Sequence, residues 1–221
     1  LRYAPAVDEL ILVISNRDET PIWRMYAAAS LGDIGDSRAI PALRGLFSEP
    51  DSLLRTYAAA ALAGFDMSEV EGILQAGLRD SNVKVRLAAA RALGNKAAQR
   101  SVEILIYKAR SDPERQVRVQ AIQSLGQIGA PKALDFLRDV YRNKQYVDLY
   151  RETALSTLSE HDPQGVLEEI RAVIEEEWTH KDSHVLEFTA RIISSVVSPG
   201  LESVFTHFLE HPNLLIRLYG L

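Results

Sequence analysis

The sequence predicts an all-α fold, a solenoid of stacked helix pairs, and three observations carry that prediction. The first is a repeated helical phrase. Val85-Arg86-Leu87-Ala88-Ala89-Ala90-Arg91-Ala92-Leu93-Gly94 follows the turn Asp80-Ser81-Asn82, and versions of it run from Arg24 to Gly32, Arg55 to Ala63, Arg118 to Gly126 and Arg151 to Ser159. Successive arginines stand 31, 31, 32 and 33 residues apart. A blurred copy spans Val185 to Ile193, and a truncated one opens at Arg217, 66 residues after Arg151. The second observation is composition: 47% hydrophobic residues, rich in alanine and poor in β-branched runs, favour helix in every unit. The third is connection length, two to six residues, as antiparallel helix pairs require. A period near 32 overrides the one- or two-domain prior for 221 residues, because each unit packs only on its neighbours. About seven units fit, enough to bury a continuous core.

Each element has local support. Residues 5–15 place Val7, Leu10, Ile11 and Ile14 at helical spacing. Asn16 to Glu19 form a polar turn, and Thr20-Pro21 reads as a cap followed by proline at the first helical position. The first repeated helix should end at Gly32, and its partner should run from Arg38 to Phe47. Further helices are expected at 52–63, 68–78, 83–93, 98–109, 114–125 and 131–143. Then follow 147–159, 163–178, 183–197, 199–210 and one opening near 213, with Asp112-Pro113, Asp162-Pro163 and Ser198-Pro199 repeating the cap-then-proline signal. No linker or low-complexity segment interrupts them, so residues 1–221 read as one repeat domain. Leu1 is not a start methionine and the chain stops inside a helical pattern, so a piece of a longer protein is expected.

Within the repeated helix, positions sort by role. The third residue after the arginine is Ala27, Ala58, Ala89, Ala121 or Ala154; the seventh is Leu31, Leu62, Leu93, Leu125 or Leu158. Positions four apart share a helix face, and the small one admits a close neighbour, so both are core. The residue before the arginine (Trp23, Leu54, Val85, Val117, Tyr150, Ile216) extends that stripe.

Composition narrows the function. No cysteine is present, which excludes disulfides, thiol nucleophiles and thiolate metal sites. That suits the cytoplasm and exported compartments alike; a soluble chain is expected, with the cytoplasm the favoured setting. No apolar stretch approaches the roughly 20 residues of a membrane span. Net charge is −5, split +1 over residues 1–110 and −6 over 111–221, which argues against nonspecific hold on nucleic-acid phosphates.

The pattern Asp-(five residues)-Arg-x-x-Ala-x-x-x-Leu-Gly, with the turns Asp33-Ile34-Gly35-Asp36 and Gln127-Ile128-Gly129-Ala130, resembles HEAT repeats of the short bacterial form typified by phycobilin lyases. Asp18/Arg24, Asp80/Arg86 and Asp112/Arg118 match its acidic–basic pair, and Glu49 or Asp51 stands before Arg55. The resemblance covers 18–160 well; over 161–221 it is weak, with Val185 in the arginine's place and no glycine cap at Ile193. It implies a right-handed superhelix of the armadillo type whose repeated helices line the concave face. It also implies that the arginine column is structural, bonding turn acids and carbonyls of its own or the next repeat, rather than an anion ladder.

Positions two and five after the arginine should then point outward into the concave groove: Tyr26, Ala29, Tyr57, Ala60, Ala88, Arg91, Gln120, Gln123, Thr153 and Ser156. Two tyrosines one repeat apart with Arg91 make a typical hot-spot composition, so Tyr26, Tyr57, Arg91, Gln120 and Gln123 are the candidate partner-binding residues. A shallow alanine floor suits a peptide or helix of another protein better than a deep substrate pocket. His180/His184 and His207/His211 are each four apart but flank turns, so solvated helix ends are expected rather than a metal site. HEAT-fold hydroxylases with a di-iron centre carry His-Glu dipeptides, and this chain has none. Glu168, Glu169 and Glu175 to Glu177 read as a solvated acidic face. No phosphate loop or catalytic triad stands out. The reading is a non-enzymatic scaffold without cofactor or metal, partnered by a protein and not by nucleic acid or membrane. The alternative is a regulatory or bilin-lyase-like subunit of an enzyme.

Overall fold

The computed structural model of the chain describes residues 4–94, 98–180, 182–195 and 201–221, among which lie fourteen α-helices and no strand. The chain forms two compact units, Leu1–Ser124 and Leu125–Leu221. The first holds α1 (Ala4–Ser15), α2 (Pro21–Ile34), α3 (Ile40–Leu46), α4 (Ser52–Ala61), α5 (Met67–Gly77), α6 (Val83–Gly94), α7 (Val102–Ser111) and most of α8 (Arg115–Ile128). Here α2, α4 and α6 pack side by side as one layer; α1 lies against α2 and α3, α3 against α4, and α5 against α6. The second unit holds the end of α8, α9 (Pro131–Arg142), α10 (Asp148–His161), α11 (Leu167–Glu177), α12 (His184–Ile193), α13 (Glu202–Phe208) and α14 (Leu214–Tyr219). There α10, α12 and α14 form the corresponding row, with α9 on α10, α11 on α12 and α13 on α14.

Caps and turns explain the boundaries. Asp51, Asp66 and Asn213 accept the N–H two residues on, at 2.7, 2.8 and 2.9 Å, each satisfying an orphan donor worth about 1 kcal/mol. The sequence pattern ends α2 at Gly32, but the helix continues to Ile34, and Gly35 (φ +68°) closes it by donating to Leu31 O at 2.9 Å. Gly32 serves packing instead. A Cβ there would lie 2.7 Å from the Cα of Ala61, and one on Gly64 would lie 1.9 Å from the Gly32 carbonyl oxygen, so the ends of α2 and α4 meet backbone to backbone. Partner helices open with 3₁₀ turns at Ser37–Ala39 and Gln99–Ser101, and α11 starts at Leu167 rather than 163. Ser198-Pro199, where the last cap-then-proline signal was expected, lies outside the described residues.

The alanine and leucine columns are the core: Ala27, Ala58, Ala89, Ala121 and Ala154 are buried, and all five leucines have no exposed surface. Leu54, Val85, Val117, Tyr150 and Ile216 are buried beside them. Trp23 departs from its column at 60% exposure.

The arginine column staples one repeat to the next. Arg86 binds Asp112 through two parallel hydrogen bonds of 2.9 Å and turns its third nitrogen to the carbonyls of Asp80 and Ser81. Arg55 likewise binds Asp80 at 2.8 and 3.0 Å and donates to Glu49 O and Pro50 O. Arg24 binds Ile14 O and Glu49. Each guanidinium therefore satisfies carbonyls just before its own helix and takes its carboxylate from the following repeat, 25 or 26 residues on. Of the two options expected, own or next repeat, the acid comes from the next one; the match of Asp18 to Arg24 is thereby corrected, since Asp18 lies exposed in its turn and Arg24 pairs with Glu49. In the second unit Arg151 donates to Tyr141 O and Arg217 to His211 O, both at 2.8 Å, which keeps the carbonyl half of the arrangement. Planar, bidentate geometry is what arginine supplies and lysine does not.

Candidate functional site

Burying the alanine–leucine stripe turns the opposite stripe of each repeated helix outward. It comprises the residue two before the arginine and those one, two and five after it. On α2 these are Ile22, Met25, Tyr26 and Ala29; on α4, Leu53, Thr56, Tyr57 and Ala60; on α6, Lys84, Leu87, Ala88 and Arg91. Ile22 and Tyr26 are half or more exposed, Leu53 is exposed, and Tyr57 is half-buried. Trp23 adds its ring to Tyr26 edge-to-face, with centroids 6.3 Å apart, so two aromatics stand exposed at one end of the face. Neighbouring helices leave shallow clefts. One of about 400 Å³ between α2 and α4 is lined by Ala29, Asp33, Tyr57, Ala60 and Gly64. Another of about 410 Å³ between α4 and α6 is lined by Thr56, Ala60, Lys84, Leu87, Ala88 and Arg91. Both floors are alanine, because only small residues let these helices lie so close.

The five sequence candidates divide. Tyr26 and Tyr57 lie one repeat apart on this face, and Arg91 is exposed at its α6 edge. Gln123 is exposed on α8. Gln120 is a correction: expected to point into the groove, it is 7% exposed and spent on internal bonds. Its Oε1 accepts from Arg91 Nε at 3.3 Å, its Nε2 donates toward Ser124 Oγ at 3.4 Å, and that hydroxyl donates to Ala90 O at 2.8 Å. A buried polar chain thus orients the Arg91 guanidinium from behind. Sequence reasoning missed Lys84, Leu87, Thr56, Ile22 and Leu53. The signal was available: the position two before the arginine is one turn from the tyrosine column and shares its face.

In the second unit the cleft between α10 and α12, about 360 Å³, is lined by Asp148, Glu152, His184, Glu187, Phe188 and Arg191. It is acidic where the α4–α6 cleft is basic, and Arg191 is engaged by Glu152. Glu177 is a correction to the solvated acidic face: it is buried, accepts from Ser183 Oγ at 2.8 Å and pairs with Lys144 at 3.1 Å. Burial alone would raise its carboxyl, but the Ser183 and Lys144 hydrogen bonds outweigh that and hold it below the usual range.

The histidines also separate. His180, His184 and His207 are exposed, whereas His211, expected at a solvated helix end, has no exposed surface. Asn213 N–H donates to its Nδ1 at 3.1 Å, so in the neutral ring Nε2 carries the hydrogen and donates to Trp178 O at 3.2 Å. Trp178 stacks on His207 with centroids 3.7 Å apart and meets His211 edge-on. Among the described residues no group of three or more His, Cys, Asp or Glu is arranged to hold a metal ion. Burial, with the nearby His207 and Arg217, pulls His211 below its ordinary value, against the two backbone hydrogen bonds. The unfolded chain then binds a proton that the folded chain refuses, so stability is full above pH 6.5 and falls as pH drops below it. We expect the urea midpoint to decrease between pH 7.5 and 5.5, with the slope flattened in His211→Gln. An unchanged slope in that variant would assign the titration elsewhere.

No helix among the described residues is long and apolar enough to cross a membrane. A relative of the chain is the "Uncharacterized phycocyanin operon protein Z" of Pseudanabaena tenuis (strain PCC 7409), 27% identical over 165 residues, which cover 71% of this chain and 80% of that protein. Solved structures of the same fold include the complex of CpcE and CpcF of phycocyanin lyase from Nostoc sp. PCC7120, at TM-score 0.56 and 19% identity over 97% of this chain and 85% of that one. Another is the archaeal HEAT-like repeats protein of Thermococcus onnurineus NA1, at 0.53 and 18% over 97% and 94%. Human deoxyhypusine hydroxylase aligns at 0.52 and 15% over 98% and 93%. At these identities the likeness is one of fold. The family described as "Spirochaete HEAT repeat protein" matches residues 1–221. Repeated arginine helices, alanine–leucine seams, solenoid neighbours and that full-length match converge on one conclusion: the chain belongs to the spirochaete HEAT repeat protein family.

Proposed function

We propose that the chain is a non-enzymatic docking module that holds a peptide or helix of another protein on the outward face of α2, α4 and α6. This is the face expected to line the concave side of such an array. The observation that carries the reading is composition on a shallow floor. Tyr57 and Arg91 line alanine-floored clefts, Trp23 and Tyr26 stand exposed on the neighbouring α2, and aromatics with arginine dominate binding energy at protein interfaces. The CpcE–CpcF structure, a protein–protein complex of related fold, agrees with such use. The partner class is protein, without nucleic acid or membrane insertion, and no cofactor is required. Tyr26→Ala with Tyr57→Ala should weaken a partner recovered by the full chain at least tenfold in Kd, the scale of truncated hot spots. Unchanged binding by the folded double variant would remove the face from consideration.

A second reading, a regulatory or chromophore-binding subunit of an enzyme like the bilin lyases, is favoured by the phycocyanin-operon relative and the phycocyanin-lyase neighbour. It predicts a shift in visible absorption when a tetrapyrrole is added to the chain; the docking reading predicts none.

A further inference from the structure

The α4–α6 cleft carries a charge pattern that the general docking reading leaves unused. Its floor is Ala60 and Ala88, its walls include Thr56 and Leu87, and its charged lining among the described residues is Lys84 and Arg91. No carboxylate among the described residues lines it. Among the described residues neither cation has an acidic partner: Lys84 makes no side-chain bond, and Arg91 spends only Nε, on Gln120. The staple arginines Arg24, Arg55 and Arg86, by contrast, all meet carboxylates. The Arg91 guanidinium is also held from behind by buried Gln120, itself bonded toward Ser124, so its terminal nitrogens are presented rather than free to search. Pre-orientation of this kind reduces the entropy lost on binding.

Lys84 and Arg91 are seven residues apart on α6, two turns and about 10 Å along the axis. We propose that the α4–α6 cleft binds an acidic amphipathic helix of a partner protein. Carboxylates at its positions i and i+7 meet Lys84 and Arg91, and apolar side chains at i+3 and i+4 lie on Ala60 and Ala88. Those four partner positions share one helix face, so a single stripe satisfies both the charges and the floor. Nucleic acid fits less well, since two cations over an alanine floor fall far short of the six to ten or so phosphate contacts that strong binders make. The acidic α10–α12 cleft would repel the same ligand, which makes the choice specific to the first unit.

The proposal rests on the reading of the α2–α4–α6 face as a protein-docking surface, and the test separates the two. The full chain is titrated into a fluorescein-labelled helical peptide with Glu at i and i+7 and Leu at i+3 and i+4. A matched peptide with Lys at the two Glu positions and a 20-base-pair DNA duplex are measured alongside. The acidic peptide should bind and should weaken at least tenfold with Arg91→Glu and several-fold with Lys84→Glu, while the Lys peptide binds at least tenfold more weakly than the acidic one. Lys84→Glu, at an exposed residue with no partner, keeps the test valid should Arg91→Glu disturb Gln120. Equal binding of both peptides, lost on filling the cleft with Ala88→Trp, would overturn charge selection while leaving the docking reading standing. Absence of peptide binding, or DNA binding that Arg91→Glu abolishes, would overturn the proposal outright.

Discussion

Replacing Asp112 by alanine should destabilise the first unit by about 3–5 kcal/mol, the range for removing one partner of a buried ion pair. Asp112 is 1% exposed and accepts both parallel bonds from Arg86, a third from Lys108 at 3.0 Å and a fourth from the Glu114 N–H. Without it, Arg86 keeps its two carbonyl contacts, but its charge is stranded at 7% exposure, and the Glu114 N–H just before α8 loses its acceptor. The thermal midpoint should fall by on the order of 10 °C. A loss below 1 kcal/mol in urea titration would show that the repeats stack without this staple. Asp112→Asn should be milder, since a neutral amide can still accept from Glu114 and one guanidinium nitrogen. Acid should mimic the mutation. Burial on its own raises the Asp112 carboxyl, yet the bonds from Arg86, Glu114 and Lys108 together bring it below its ordinary value; at Asp80 the Arg55 hydrogen bond leads the lowering. These depressed carboxylates contribute stability that is complete above the unfolded value of 3.8 and disappears as pH falls through the folded one.

Gly64→Ala should cost about 1–3 kcal/mol or more, from overpacking against main chain rather than from any change in helix propensity. The new methyl carbon would sit 1.9 Å from the Gly32 carbonyl oxygen, and neither backbone can yield without separating α2 from α4. Because the α2–α4 cleft lies over this contact, the variant should also weaken partner binding, in step with its loss of stability. Gly126→Ala supplies the control. Its added Cβ also meets an atom at 1.9 Å, but that atom is the Thr157 methyl, at the end of a side chain that can rotate. Denaturant midpoints should therefore rank wild type above Gly126→Ala and Gly126→Ala above Gly64→Ala; the reverse order would show that the α2–α4 approach is soft.

The candidate site was partly legible before any coordinates. A period near 32 in the arginines set the helix register, and the register alone assigned Tyr26, Tyr57 and Arg91 to the stripe opposite Ala58 and Leu62. Periodicity specifies which residues share a face but not what a neighbouring helix places against them. Gln120 has the same register position as Tyr26 and Tyr57, yet it is buried because Arg91 and Ser124 offer it partners. Trp23 has the same position as buried Leu54 and Val85, yet it is exposed and sets its ring edge-on to Tyr26. His211 looked like the polar end of a helix and proved to be a buried ring between Trp178 and Asn213.

By itself, then, the sequence determined the all-helical repeat, the alanine–leucine seam and the identity of the staple arginines. These depend on local spacing, which a chain of helices must obey wherever it packs. Tertiary structure decided the partners. A carboxylate written just before one arginine belongs to the arginine of the preceding repeat, as Asp80 does to Arg55 and Asp112 to Arg86. Stacking brings positions 25 or 26 residues apart within 3 Å, and a guanidinium fork bonds what is nearest in space rather than along the chain. The same stacking sets Lys84 and Arg91 over an alanine floor with no carboxylate beside them among the described residues, an arrangement that no single helix could reveal.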